Sequence, residues 1–187
     1  MLPPMRPRLA ILLSGSGTTY ANLAEAVRDG RLPAEIAVVV SSKPGTGGLD
    51  KAAAYGHPTA VASAPDAVTA VLRAHRARWV AMCGWLKYWD PPAEFRGYTL
   101  NVHPSLLPAF GGPGMYGRRV HETVIAQGVK TTGCTVHEVS GGYDSGRILA
   151  QRAVPVAPDD TPDTLQVRVQ AAERDLYLHV LTQLLQP

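Results

Sequence analysis

Two polar side chains, two positions apart, are the first residues here whose types and spacing suggest chemistry. In Leu100-Asn101-Val102-His103-Pro104 the period of two in an extended strand puts Asn101 and His103 on one face, and Pro104 stops the strand beyond them. An amide can donate to a developing oxyanion, and an imidazolium can stabilise the same charge or protonate a leaving group. The pair therefore suits acyl transfer without a covalent intermediate. The plainer reading of His103 is a hydrogen-bonded residue at a strand rim, and the alternating Asn101 weighs against it. Asp144 stands in Gly142-Tyr143-Asp144-Ser145-Gly146, where aspartate commonly serves only the backbone of a turn. Gly15-Ser16-Gly17 lies between an apolar run and a helical pattern, where free N–H groups and the helix dipole favour an anion such as phosphate. The alternative is a simple strand-to-helix turn.

Other chemistries fail on spacing. A dinucleotide fingerprint wants a third glycine where Tyr20 stands and an acidic residue where Ser41 and Ser42 stand, which disfavours NAD. Ser14 occupies the place of the first glycine of a hydrolase G-x-S-x-G elbow. His121-Glu122 does not extend to H-E-x-x-H, because residue 125 is Ile, and no Cys/His cluster has ligand spacing, so no metal is expected. Cys83 and Cys134 sit in apolar strand contexts and read as small core residues. Glu173 lies at the margin of an inward helical stripe; periodicity leaves open whether it reaches a site or sits at the solvent boundary beside Arg174.

The elements that position these residues alternate. Leu9 to Leu13 reads as a buried strand ending at the glycine turn, and the following helix has Thr18 or Thr19 as N-cap, Leu23 and Val27 on its apolar face and Gly30 as its stop. Strands are expected at Glu35 to Val40, Thr59 to Ala62, Trp79 to Cys83 and Tyr98 to His103. An alanine-rich helix ends at Gly56, and another spans about Pro65 to Arg76. Such alternation implies an α/β fold, a doubly wound, mostly parallel sheet with helices on both faces and ligands at the carboxyl edge. A Pro- and Gly-dense loop from Pro108 to Gly117 precedes a helix over about Arg118 to Gln127. Alternation in Thr131 to Val139 and Arg147 to Val156 then adds a hairpin. Thr161-Pro162-Asp163 opens a long last helix with Leu165, Val169, Ala172, Leu176 and Val180 inward.

With 187 residues, 45% hydrophobic and 18% charged, the chain can bury one sizeable core, and residues 1–187 are expected to form a single domain. A net charge of +3 with scattered basic residues does not indicate nucleic acid. The longest apolar runs fall far short of the roughly 20 residues of a membrane span. Met1-Leu2-Pro3-Pro4-Met5-Arg6-Pro7 lacks the apolar stretch of a secretory leader, and two cysteines make no disulfide framework, so the cytoplasm is expected.

Leu13-Ser14-Gly15-Ser16-Gly17-Thr18, Asn101-Val102-His103-Pro104-Ser105-Leu106-Leu107-Pro108, and Gly133-Cys134-Thr135-Val136-His137 followed by Asp144-Ser145-Gly146 together resemble the phosphoribosylglycinamide formyltransferases, a folate-dependent formyltransferase family of purine synthesis. The match spans nearly the whole chain. The short chain resembles the single-domain purine enzyme more than the two-domain enzyme acting on initiator methionyl-tRNA. The resemblance implies a Rossmann-like domain that moves the formyl group of 10-formyltetrahydrofolate to the primary amine of glycinamide ribonucleotide, as a monomer or homodimer. It implies Asn101, His103 and Asp144 as the catalytic trio, and Gly15, Ser16, Gly17, Thr18, Thr19 and Glu173 as the ribonucleotide site. It sets the folate against Leu86, Lys87, Tyr88 and Trp89, Asn101, and the backbone of Ser140, Gly141 and Asp144.

This chain departs from the family at Thr19, where asparagine is usual, and at Ala62 to Asp66, which is short and lacks an arginine. Lys87-Tyr88-Trp89 is also bulkier than the family's aliphatic stretch. On the same scaffold an amino-sugar-nucleotide formyltransferase or a formyltetrahydrofolate hydrolase are the rival enzymes. The hydrolase would normally carry a further N-terminal domain, and little chain precedes the first strand here. A non-catalytic nucleotide or folate binder is the rival of another class, against which the three residues Asn101, His103 and Asp144 together argue.

Overall fold

The computed structural model describes residues 6–186, so the reading of a missing leader rests mostly on residues outside the described ones. Five strands run parallel: β1 (Arg8–Leu13), β2 (Glu35–Ser41), β3 (Thr59–Val61), β4 (Trp79–Met82) and β5 (Thr99–His103). Two more, β6 (Thr131–Glu138) and β7 (Ile148–Pro155), pair antiparallel with β5 and with each other, which is the added hairpin. The helices are α1 (Thr18–Arg28), α2 (Gly47–Ala54), α3 (Pro65–Ala74), α4 (Arg118–Ala126) and α5 (Pro162–Leu185). The strand order is β3-β2-β1-β4-β5-β6-β7. The chain winds outward from β1 to β3 and returns on the other side as β4. The loops after β1 and β4 therefore diverge and open a crevice at the carboxyl ends of the strands.

Helices cover both faces, as the alternating pattern requires. Leu9, Ile11 and Leu13 face α1, α4 and α5, where Leu23, Val124 and Leu181 pack, whereas Ala10 and Leu12 face α3 and the β4–β5 connection through Leu72, Trp85 and Phe95. Each fully buried leucine or isoleucine contributes about 1.5–3 kcal/mol. The unbroken burial of Leu9 to Leu13 thus anchors the strand from which the glycine loop springs.

Three local expectations are corrected. Gly17, not Thr18 or Thr19, caps α1; it takes the left-handed conformation (φ 71°, ψ 30°) and no side chain caps the helix. A Cβ at Gly17 would lie 2.6 Å from the Gly48 Cα, so the tight packing of loop on α2 excludes a side chain there. The alternation read in β6 does not make it one-sided: it is buried from Thr132 through His137, being an inner strand. Boundaries also move by a residue or so, with Ser41 inside β2 and Cys83 outside β4. The last helix starts as its sequence dictates, with Thr161 and Thr164 exchanging side-chain and backbone hydrogen bonds in a capping box and Pro162 in the first turn. Among the described residues, no helix is long and apolar enough to cross a membrane.

Candidate active site

Strand β5 ends at the crevice and delivers Asn101 and His103 there, opposite His137 and Thr135 of β6. His103 is buried, with Nδ1 3.2 Å from Asp144 Oδ1 and Nε2 2.8 Å from the Phe110 carbonyl oxygen. Two acceptors on the two ring nitrogens favour the doubly protonated imidazolium. Burial by itself lowers the His103 pKa, but the Asp144 carboxylate, the Phe110 carbonyl and the Glu173 charge outweigh it and hold it above the usual histidine value. Burial pushes Asp144 up, while His103 and the Gly112 N–H, which donates to Oδ2 at 2.9 Å, bring it below the usual carboxylate range. Asp144 adopts φ 50°, a left-handed conformation that aspartate tolerates better than most residues. It is thus a turn residue and a partner of His103 at once. Because Nε2 is engaged by a backbone carbonyl, His103 presents its charge rather than a free N–H to the cleft.

Asn101 is oriented by a residue the sequence reading did not single out. His137 Nδ1 lies 2.8 Å from the Glu138 carbonyl, to which it donates, leaving Nε2 to accept from Asn101 Nδ2 at 3.2 Å. The second amide hydrogen of Asn101 is left for the cleft. Burial lowers the His137 pKa, which keeps its ring neutral and fit for accepting. The period of two in Thr135-Val136-His137 was visible in the sequence, but not the register that sets His137 across from Asn101.

A cleft of about 370 Å³ runs along the crevice, lined by Gly15 to Thr19, the three residues Asn101, His103 and Asp144, and the α5 side chains Gln170, Glu173 and Arg174. It meets a narrower arm of about 60 Å³ lined by Met82, Lys87, Tyr88, Trp89 and Gly141. Trp85, Asn101, Tyr143 and Asp144 line both. The structure thus brings together nearly all the expected site residues, with Leu86 on the wide side. Ser140 lines neither part; its carbonyl accepts from the Ser145 hydroxyl. Trp89 is buried, donates Nε1–H to Thr69 at 3.1 Å and forms a wall from the core side. Trp85 and Tyr143 were missed as lining residues because the loops that carry them have no periodicity to show which way they face, and His121 of α4 and Gln170 of α5 because helical period alone does not say which helix face borders the cleft.

The glycine loop is fixed from several sides. Ser14 Oγ accepts from the Leu86 N–H and the Ser42 hydroxyl, tying together the ends of β1, β2 and β4. Lys51 Nζ donates to the Ser16 carbonyl at 2.6 Å and brings a positive charge beside the loop. The first-turn N–H groups of α1 have no intrahelical acceptors, so an anion facing Gly15 to Thr19 meets donors, the helix dipole and Arg174 across the cleft. Burial raises the Glu173 carboxyl to about 7, opposed by the charges of His103 and Arg174. Among the described residues, no three His, Cys, Asp or Glu side chains gather as a metal-ion site.

The sequence family described as formyl transferase matches residues 7–181. A phosphoribosylglycinamide formyltransferase of Arabidopsis thaliana, named as chloroplastic, is 38% identical over 95% of this chain and 65% of its own length. The trifunctional purine biosynthetic protein adenosine-3 of Homo sapiens is 36% identical over 92% of this chain and 18% of its own. The chain therefore spans less than two thirds of the length of these curated relatives. Solved structures match it over most of its length. The phosphoribosylglycinamide formyltransferase of Bacillus halodurans superposes with a TM-score of 0.88 at 33% identity, covering 96% of this chain and 95% of its own. The glycinamide ribonucleotide transformylase 1 of Geobacillus kaustophilus gives 0.88 at 34%, covering 97% and 100%.

Proposed function

Because the chain belongs to the formyl transferase family, we propose that it transfers the formyl group of 10-formyltetrahydrofolate to the primary amine of glycinamide ribonucleotide in purine synthesis. One observation supports this above the others: the Asn101 amide and the Asp144 carboxylate, which is paired with His103, lie where two arms of one cleft meet. The wide arm, with its glycine loop and Arg174, suits a phosphorylated ribose; Glu173 faces it and suits the ribose hydroxyls. The narrow arm has apolar walls from Met82, Trp85 and Val139 and a polar edge at Asp90 and Gly141, a match for a flat heteroaromatic bicycle with donors along its rim.

As the amine attacks the formyl carbon, the carbonyl oxygen gains negative charge. The free amide hydrogen of Asn101 donates to it and the His103 imidazolium stabilises it at short range. Asp144 keeps His103 charged and, through a water, takes up the proton that the amine loses as the new C–N bond forms. That proton finishes on the folate nitrogen when its bond to the formyl carbon breaks, so no external acid or oxidant is consumed. The protein supplies position and field. The two buried, free thiols of Cys83 and Cys134 accord with a reducing, cytoplasmic setting.

The test offers glycinamide ribonucleotide, water alone and an amino-sugar nucleotide in turn with 10-formyltetrahydrofolate, following folate product by absorbance. Ribonucleotide-dependent release is the expected result. Release with water alone, or only with the amino-sugar nucleotide, replaces the acceptor named here.

A further inference from the structure

A second cavity, of about 370 Å³, shares no lining residue with the cleft and falls within the size range of small-molecule sites. Val27, Ala34 and Ile36 give it an apolar wall, and its polar groups are Arg6, Arg8, Glu35 and His57. Arg8 and Glu35 open β1 and β2, so the cavity borders the amino end of the sheet, whereas the cleft lies at the carboxyl edge. It exists because β3 is short: β3 pairs with β2 only from Val39 to Ser41, which leaves the first half of β2 without a strand on that side. Arg8 is engaged already, with Nε and Nη2 donating to the His75 carbonyl at 3.2 and 3.0 Å and Nη1 to the Glu35 carboxylate. Those two charges cancel. Arg6 has no ion-pair partner among the described residues, so the cavity presents one positive charge beside an apolar wall.

His57 connects this cavity to the glycine loop. Its Nδ1 lies 2.7 Å from the hydroxyl of Tyr20, a fully buried residue in the first turn of α1. Burial lowers the His57 pKa, so the ring is neutral, the Tyr20 hydroxyl donates to Nδ1, and the ring's own proton sits on Nε2. The other face of the pair is closed by Tyr55, which stacks on His57 at 5.9 Å and donates its hydroxyl to Glu25. Tyr20 Cδ1 in turn lies 3.5 Å from where a Cβ of Gly17 would stand, beneath the residue that caps α1 and closes the glycine loop. We propose that the cavity binds a small organic anion with an apolar body, held by Arg6 and the His57 Nε2–H, and that its occupancy is sensed at the glycine loop through His57 and Tyr20. An anion at Nε2 favours the imidazolium. Nδ1 then carries a proton, and the Tyr20 hydroxyl must turn from donor to acceptor in the helical turn that holds the loop. The two sites are thereby coupled, each biasing the other.

The experiment titrates the full chain with 2-naphthoate, a fused aromatic body bearing one carboxylate, and follows methyl and amide signals by NMR. Saturating shifts at the Val27 and Ile36 methyls, with the same midpoint at the Gly15 and Gly17 amides, are the expected result. Arg6→Ala, at an exposed position, should weaken binding about fivefold. Val27→Phe, which fills the cavity, should abolish all of these shifts. Tyr20→Phe keeps the ring and removes the hydroxyl, so the methyls should still shift and the glycine amides should not. Methyl signals that stay fixed up to about 10 mM probe overturn the site, and an unchanged midpoint in Arg6→Ala overturns its recognition of an anion. Glycine shifts that survive in Val27→Phe arise from probe in the cleft, and those that survive in Tyr20→Phe bypass the hydrogen bond. Either result overturns the coupling, as does their absence in the unaltered chain.

Discussion

His103 is held at both nitrogens by acceptors, and this favours its protonated form. Its pKa is raised and that of Asp144 lowered, so the pair persists from the carboxylate's lowered value up to the histidine's raised one. Its contribution to stability is fully present between the ordinary values of 3.8 and 6.5; it is lost as pH falls through the folded Asp144 value or rises through the folded His103 value. Asp144→Asn keeps a residue that tolerates φ 50° and removes only the charge. Burial then acts unopposed by that charge, the His103 pKa falls, and activity should drop more at pH 8 than at pH 6. Ring titration by NMR measures the shift directly, and an unchanged His103 pKa in the variant would falsify the coupling. For Asn101→Ala we expect kcat to fall by roughly 10²–10³, as for loss of one oxyanion donor, with little change in either KM. Steady-state kinetics on the folded variant check this; equal loss in KM alone would make Asn101 a binding group.

The turn from β1 into α1 shows how two glycines in one loop serve different ends. Gly15 lines the cleft, and a Cβ built there meets nothing within 4 Å. Gly17 needs its left-handed backbone and has no room against Gly48. Gly15→Ala should therefore fold normally, place a methyl group where an anion would approach, and weaken the ribonucleotide about tenfold, sparing the folate. Gly17→Val should instead lower the melting temperature and weaken both ligands together. Calorimetric titration with each ligand, alongside a melting curve, separates the two. Unchanged ribonucleotide affinity in Gly15→Ala reduces the loop to a turn.

Across the molecule, folding places one carboxyl at odds with its surroundings. Glu173 is turned inward by α5 among Ala172, Leu176 and Tyr177, and its pKa rises from 4.5 to about 7. For an acid whose folded pKa is raised, stability declines as pH climbs from the unfolded value through the folded one and stays reduced above it. Glu173→Gln should remove that penalty, on the order of 2 kcal/mol at pH 8 and none at pH 4. The melting temperature at pH 8 should rise by several degrees while ribonucleotide affinity falls, a trade of stability for function. A variant no more stable at pH 8 than the unaltered chain would show that Glu173 ionises without strain.

Local signals carried much of this protein. The apolar run Leu9 to Leu13, the glycine turn, the alternating strands and helices, the capping residues Thr161 and Pro162 and the shared face of Asn101 and His103 each depend on neighbours within a few positions. Periodicity and turn chemistry therefore reveal them. The cap at Gly17 was misread because close packing on Gly48, 31 positions away, outweighs the preference for threonine. His137 beside Asn101, the Phe110 carbonyl on His103 and the contact of Tyr88 with Tyr143 were likewise beyond sequence reading. They arise from strand register and from loops without regular period, and Asn101 and His137 are separated by 36 positions. Which side chains meet at such distances follows from the energy of packing the whole chain at once, and only the tertiary structure records that outcome.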